Sequence, residues 1–283
     1  MENAYKLLIT KTKMCTKRAL LIGINYFGQN GELSGCLNDV DNIEVYLRTC
    51  GFTDFTVLKD SRSDPSFLSP SAPTKENILR AMCDAVAKTK SGDVLYVHDS
   101  GHGSQLADAT SGAGMRDEKD GKDECICPVD YASLRDGDSG FIRDDTLNQI
   151  LVKSLAPGAK LRVCFDSCHS GSALDLPVRW VSSLKFEAEN SNVADKDIVF
   201  ISGCMDSQTS ADARFDGQAA GAMTWALLGV LWDIKKSGKN SGFWTWKELV
   251  QMMRMNLKKE QYTQVPQVGL ESSKQLLGLV DLI

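Results

Sequence analysis

The chain has 283 residues, with 32 Lys and Arg against 37 Asp and Glu, and a formal charge of −5. That length suits one α/β domain with a large core. The acidic balance, without any Lys/Arg-rich run, argues against a nucleic-acid partner, and the longest apolar run, 219–232, falls short of the ~20 residues of a membrane span.

Nine cysteines, an odd count, are scattered along the chain. A chain this size needs no disulfide framework, so reduced thiols and a cytoplasmic location are expected. Met1 to Arg18 holds five Lys/Arg and no apolar stretch. It reads as an N-terminal extension over 1–17, not as a secretory signal.

Ala19-Leu-Leu-Ile-Gly-Ile24 is continuously apolar and predicts a central strand. A glycine-rich loop over 25–35 follows. A helix then runs from Leu37 to about Cys50, with Val40, Ile43 and Leu47 on one face and Gly51 as its stop. Phe55 to Leu58 predicts the second strand, and Asp60 to Pro73 a surface loop. Thr74 is placed to cap a helix whose apolar stripe is Ile78, Met82, Ala85 and Val86. Asp93 to His98 predicts the third strand, ending in Asp99-Ser-Gly-His-Gly103. Ser104 to Gly140 reads as one long acidic loop, extended only over Cys125 to Tyr131. A loop of that length is usually functional or disordered. Asp144 to Leu155 predicts a short helix and Leu161 to Phe165 the fourth strand. Val178 to Lys196 reads as a linker and Asp197 to Ile201 as a fifth strand. Helices follow near 218–235 and 245–258, and the apolar tail from Gln275 suggests a last strand. The alternation argues for a mostly parallel sheet covered on both faces.

The chemistry gathers at two strand ends. Asp166-Ser-Cys-His-Ser-Gly171 is a polar turn after a buried strand, and a thiol there is a nucleophile if a base lowers its pKa. The sequence has three histidines to supply one. His169 adjoins Cys168, and neighbouring side chains usually diverge. His98 ends a strand, where packing accounts for it. His102 lies in a Gly-His-Gly turn, and if its strand is a parallel neighbour of the Cys168 strand, both turns open onto one crevice. Gly101 and Gly103 fit a tight turn; they also expose backbone N–H groups, one of which can face an oxyanion. A dinucleotide fingerprint fails there, because Leu106 takes the third glycine position. The run from Arg116 to Glu124 does not fit an EF-hand loop. It reads either as a solvated loop or as carboxylates that converge with Asp144, Asp145 and Asp175 on a hard cation. Cys125 and Cys127 lack a second pair at zinc-ligand spacing and read as buried strand residues, and Cys36 as a small buried thiol.

These pieces together resemble the metacaspases, and specifically the type I branch. The stretches that carry the resemblance are Arg18 to Gly28, Gly35-Cys-Leu-Asn-Asp39, Ser100-Gly-His-Gly103, Asp123 to Tyr131, Asp166 to Pro177 and Gln208-Thr-Ser-Ala-Asp212. They run in family order from residue 18 onward. The resemblance implies an α/β caspase-like fold over 18–283. Its parts would be a large-subunit-like region 18–177, a linker 178–196 and a small-subunit-like region 197–283. It implies a Cys168–His102 dyad, an oxyanion site at the N–H groups of Gly103 and Cys168, and a substrate pocket of Asp39, Ser100 and Asp166. Cleavage after Arg or Lys follows, in protein or peptide substrates. Activation by Ca2+ is implied, with Asp117, Asp144, Asp145 and Asp175 at the acidic ligand positions. Arg179 and Lys185 are candidates for self-cleavage in the linker, and a monomer is implied.

One residue departs from the family pattern. Asp99 stands where the family usually has Tyr. A second charge there can strengthen cation binding, raise the pKa of the base, or simply face solvent. The rival reading of the whole chain is a non-proteolytic interaction protein that keeps the fold. Selective alkylation of Cys168 among the nine thiols at neutral pH separates the two.

Overall fold

The computed structural model describes residues 15–107, 121–134, 140–168, 170–182, 185–188, 196–205, 212–215, 217–238, 244–278 and 280, with only the backbone at 181–182, 185–188, 212 and 273. Its centre is an eight-stranded sheet in the order β2-β1-β3-β7-β10-β13-β8-β9. The first five strands are parallel: β2 (Asp54–Lys59), β1 (Lys17–Gly23), β3 (Val94–Ser100), β7 (Lys160–Asp166) and β10 (Asp197–Ser202). β13 (Gln267–Leu270), β8 (Val178–Ser182) and β9 (Lys185–Ala188) complete it in antiparallel pairings.

Strands with helices on both sides must be apolar on both faces, and β1, β3 and β7 are. Leu20, Ile22, Leu95, Val97, Leu161 and Val163 enter one core with Ile78, Met82, Ala85 and Val86 of α2 (Lys75–Lys88). Leu21, Tyr96, Cys164, Val199 and Ile201 enter the other. There they meet Val40, Ile43 and Leu47 of α1 (Cys36–Thr49), and the buried faces of α4 (Ala222–Lys236) and α5 (Trp246–Lys259). Thr74 caps α2 by accepting the Asn77 N–H, as its sequence indicates. Thr245 and Glu248 form a reciprocal capping box at α5.

Five stretches differ from the sequence reading. The stretch 104–140 is not one loop: β4 (Gly103–Ala107) and β5 (Lys122–Ile126) pair antiparallel, and β6 (Ile142–Arg143) adds to β5. The supposed linker begins as the β8–β9 hairpin, with Trp180 1% exposed. Its polar composition hid a strand whose one large anchor is buried between neighbours. Residues 218–221 form β12, paired with β11 (Asp212–Phe215), so α4 starts later, at Ala222. The described part of the tail forms a 3-10 turn over Ser273–Leu277, residues 279 and 281–283 of the expected last strand lie outside the described residues, and the last strand in chain order among the described residues is Gln267–Leu270. The segment read as one helix over 144–155 is α3 (Asp144–Leu147) followed by a π-helical turn over Asn148–Lys153. Among the described residues no helix is long and apolar enough to cross a membrane.

Candidate active site

β3 and β7 are parallel neighbours in register, Ser100 opposite Asp166. Both therefore end at the same edge, and the turns beyond them meet. The meeting is close: a Cβ on Gly103 would overlap the Cys168 backbone. Only glycine permits that approach, which is the structural reason for the second glycine of Gly-His-Gly. His102 and Cys168 are both half-buried at this junction.

The imidazole of His102 is oriented from behind. Its Nε2 lies 2.7 Å from the Gly31 carbonyl oxygen. A carbonyl only accepts, so Nε2 carries the proton and Nδ1 is left to exchange one. The Tyr26 ring lies against the imidazole, with centroids 4.6 Å apart. Its hydroxyl accepts the His102 backbone N–H at 2.9 Å and donates to the Cys127 carbonyl at 2.6 Å. Cys127 in turn donates its N–H to the His102 carbonyl at 3.1 Å. The His102 turn is thus pinned from both sides. Neither Gly31 nor Tyr26 was singled out from the sequence. A backbone carbonyl has no residue signature, and Tyr26 reads as an ordinary core aromatic. Its positive φ of 55° is visible only in the structure.

Asp39, Ser100 and Asp166 are brought together. Ser100 donates its hydroxyl to Asp39 Oδ2 at 2.7 Å. The Gly221 N–H points at both Asp39 oxygens, at 3.0 and 2.9 Å, and the Thr224 N–H donates to Asp166 Oδ2 at 2.8 Å. These donors lie at the N-terminus of α4, where unpaired N–H groups and the helix dipole favour negative charge. Gly221 itself fits between the two carboxylates, and a Cβ there would overlap Asp166. Gly221 and Thr224 were missed because they lie about 180 residues from Asp39 in the chain.

Asp99 does not face solvent; it is 2% exposed, and its Oδ2 has no hydrogen-bond partner among the described residues. Burial first, and the Asp166 charge second, push its carboxyl up to about 7. His98 is packed, in line with the sequence reading: it is fully buried, both ring nitrogens lack partners among the described residues, and burial pushes it down to about 3. His169 lies outside the described residues.

The acidic positions divide. Asp144 is buried and accepts the N–H groups of Glu124 at 2.6 Å and Asp145 at 2.8 Å. Burial and the nearby Asp175 push its carboxyl up to about 8. Asp175 holds a positive φ of 45°. A positive charge beside Asp144 would offset both its burial and the Asp175 charge. Asp145 is exposed, and Asp117 lies outside the described residues. Among the described residues no group of three His, Cys, Asp or Glu is placed to hold a metal ion. Glu124 ties this region to the junction. It accepts from Gln105 on β4 at 2.9 Å and from Ser172 beyond Cys168 at 2.5 Å. Cys125, Cys127 and Cys36 are buried, as expected, and the nine cysteines are free thiols.

Arg179 is half-buried in β8, which is paired on both edges, and Lys185 opens β9 at the end of the sheet.

Among solved structures, a Geobacter sulfurreducens protein matches with a TM-score of 0.59 at 24% identity, over 93% of this chain and 97% of its own. Caspase-1 from Spodoptera frugiperda matches with a TM-score of 0.55 at 12% identity, over 92% of this chain and 88% of its own. Both speak to the fold, which is caspase-like. Among curated proteins, Metacaspase-1 of Ajellomyces capsulatus is 37% identical over 90% of this chain and 80% of its own length. Metacaspase-1 of Mycosarcoma maydis is 37% identical over 89% and 70%. The family model described as metacaspase, peptidase C14 domain matches residues 17–177. The chain belongs to the metacaspase family and is a cysteine-type endopeptidase.

Proposed function

We propose that the chain is a calcium-activated endopeptidase that cleaves proteins after Arg or Lys, with Cys168 as nucleophile and His102 as general base and acid. The observation that carries this is the junction of Gly103 against Cys168, beside an imidazole whose Nε2 is committed to Gly31. In this reading the Cys168 proton passes to His102 Nδ1 and the thiolate attacks the scissile carbonyl carbon. The oxyanion takes N–H groups from Gly103 and Cys168, and His102 returns the proton to the departing amine. Water then hydrolyses the thioester, with His102 accepting its proton.

Asp39, Asp166 and Ser100 form the pocket for the cationic side chain. A guanidinium suits this set, since it bonds carboxylates through a planar fork. Asp144 and Asp175, together with Asp117 and Asp145, would hold the activating calcium. The ion would supply positive charge that lets Asp144 ionise. Glu124 carries the effect to β4 and to the segment after Cys168. The free thiols suit a reducing, cytoplasmic setting. β8 and β9 cover β13 at the end of the sheet, which suits a protein acting as a monomer.

The test uses peptides with Arg, Lys or Asp at the cleaved position, with and without calcium, with Cys168→Ala as control. Calcium-dependent cleavage after Arg and Lys, lost in the variant, is expected. Cleavage after Asp alone overturns the pocket assignment.

A further inference from the structure

His98 lies one strand step below the acidic pocket. Side chains alternate along a strand, so His98 and Ser100 share the face of β3 that carries Tyr96, opposite the face of Leu95 and Val97. That face is covered by α1 and α4, the elements that bring Asp39, Gly221 and Thr224 to the pocket. Two residues along the strand separate His98 from Ser100 by about 6.5 Å of rise.

The neighbouring strands repeat the step. Ser100 is in register with Asp166 on β7, and His98 with Cys164 on β7 and Leu21 on β1. Cys164 lies within electrostatic reach of Asp166 and Asp39, and its sulfur is 3.7 Å from that of Met223 in the first turn of α4. Behind His98 the Tyr96 ring runs parallel to the imidazole, with centroids 6.5 Å apart. A layer of Leu21, His98, Cys164 and Met223 thus underlies the layer of Asp39, Ser100 and Asp166.

His98 is the strongly polar member of that lower layer. It is fully buried, and neither ring nitrogen has a partner among the described residues. Buried polar atoms without hydrogen bonds cost free energy, and an apolar ring would fill the same space without that cost. The hydroxyl of Thr224, whose N–H donates to Asp166, is likewise buried without a partner among the described residues. Burial keeps the His98 imidazole neutral near pH 7. It therefore does not repel a cation, and one of its nitrogens is an acceptor.

We infer that His98 is a specificity-determining residue of the acidic pocket: its imidazole accepts the deepest N–H of a guanidinium and so favours Arg over Lys at the cleaved position. This rests on the Arg/Lys reading of that pocket. An ammonium has three donors, which Asp39, Asp166 and the Ser100 oxygen satisfy. A guanidinium has five in a rigid plane. Two carboxylates, each taking a parallel pair, leave one N–H over in a desolvated site. His98 supplies the acceptor that this donor needs, one layer below the carboxylates. The compact ammonium leaves no such donor and makes no use of it.

The experiment compares kcat/KM for two peptides differing only in Arg or Lys at the cleaved position, with calcium present. The full chain is used as wild type, His98→Phe and His98→Gln. The wild type is expected to favour Arg. His98→Phe, which keeps a ring and removes the acceptor, is expected to lower kcat/KM for the Arg peptide by about tenfold, mostly through KM, and to leave the Lys peptide within about twofold. His98→Gln, which restores a carbonyl acceptor, is expected to recover part of the loss. A measurement on the wild type needs no variant to fold: with histidine labelled by 15N, propylguanidine is expected to shift the ring-nitrogen signals of His98, the histidine that stays neutral between pH 5 and 8, and butylamine to leave them in place. Equal losses for both peptides in His98→Phe, or unmoved His98 signals with propylguanidine bound, overturn the role of His98. If the wild type cleaves after neither Arg nor Lys, the acidic-pocket reading itself fails.

Discussion

Tyr26 does more for His102 than contact it. One hydroxyl closes two hydrogen bonds, to the His102 N–H and the Cys127 carbonyl. Tyr26→Phe keeps the ring and removes both. A buried N–H and a buried carbonyl then lose their partners, at about 1–3 kcal/mol each. Stability is expected to fall by a few kcal/mol, and kcat by about tenfold to a hundredfold as the His102 turn loosens. Steady-state kinetics and denaturant unfolding of the variant check this; unchanged kcat with the stability loss would make Tyr26 purely structural. At this scale the sequence was legible where chemistry has a residue type. Cys168, His102 and Asp166 stood out as reactive or charged groups in short motifs, and the resemblance to the family added Asp39 and Ser100. Gly31 and Gly221 act through backbone atoms, and nothing in their identity announces that.

The β8–β9 hairpin changes how self-processing would proceed. A peptidase takes its substrate extended and unpaired. Arg179 is hydrogen-bonded between β13 and β9, so cutting there requires the hairpin to leave the sheet, exposing Trp180. Arg254 stacks 4.4 Å over the Trp180 ring and donates to its carbonyl at 3.4 Å, which holds the strand further. Among the described residues β9 pairs with β8 alone. Lys185→Ala is therefore expected to suppress self-cleavage several-fold more than Arg179→Ala, read by mass spectrometry of the products after calcium addition. A product ending at Arg179 as the dominant species would refute this. The sequence hid the hairpin because strands at the end of a sheet need few apolar residues. By contrast, α1, α2 and α5 were legible from periodicity and end signals: the Gly51 stop, the Thr74 cap and the apolar faces.

For the whole molecule, buried ionisable groups set the pH dependence of stability. Asp99 and Asp144 have native pKa values of about 7 and about 8, raised from 3.8. The native state holds protons that the unfolded chain has released, so each contributes stability that is full below the unfolded pKa and is lost as pH rises through the native one. His98, held down to about 3 from 6.5, works the other way, but only below pH 6.5. Between pH 6.5 and 8.5 the carboxyls therefore dominate among these three groups. In chelator the Tm is expected to fall across that window, by about 2–4 °C for each kcal/mol lost. Calcium is expected to reduce the fall, because it favours ionised Asp144. Asp144→Asn is expected to shallow the fall in chelator and to remove most of the calcium effect. Thermal unfolding at four pH values, with calcium and with chelator, checks it; a calcium effect of equal size in Asp144→Asn would refute the assignment.

The sequence by itself determined the parallel core, most helices and the reactive residue types, because apolar periodicity and short motifs are local properties. It also carried the family, since the motif blocks stand in order along the chain. Only the tertiary structure decided which turns meet, because adjacency of β3 and β7 is a matter of strand order and register. The same holds for the Gly31 carbonyl behind His102, the α4 N-terminus over Asp39 and Asp166, and the burial of Asp99. Each of these depends on backbone groups or surroundings supplied by distant segments, and no local pattern encodes what a residue will be packed against.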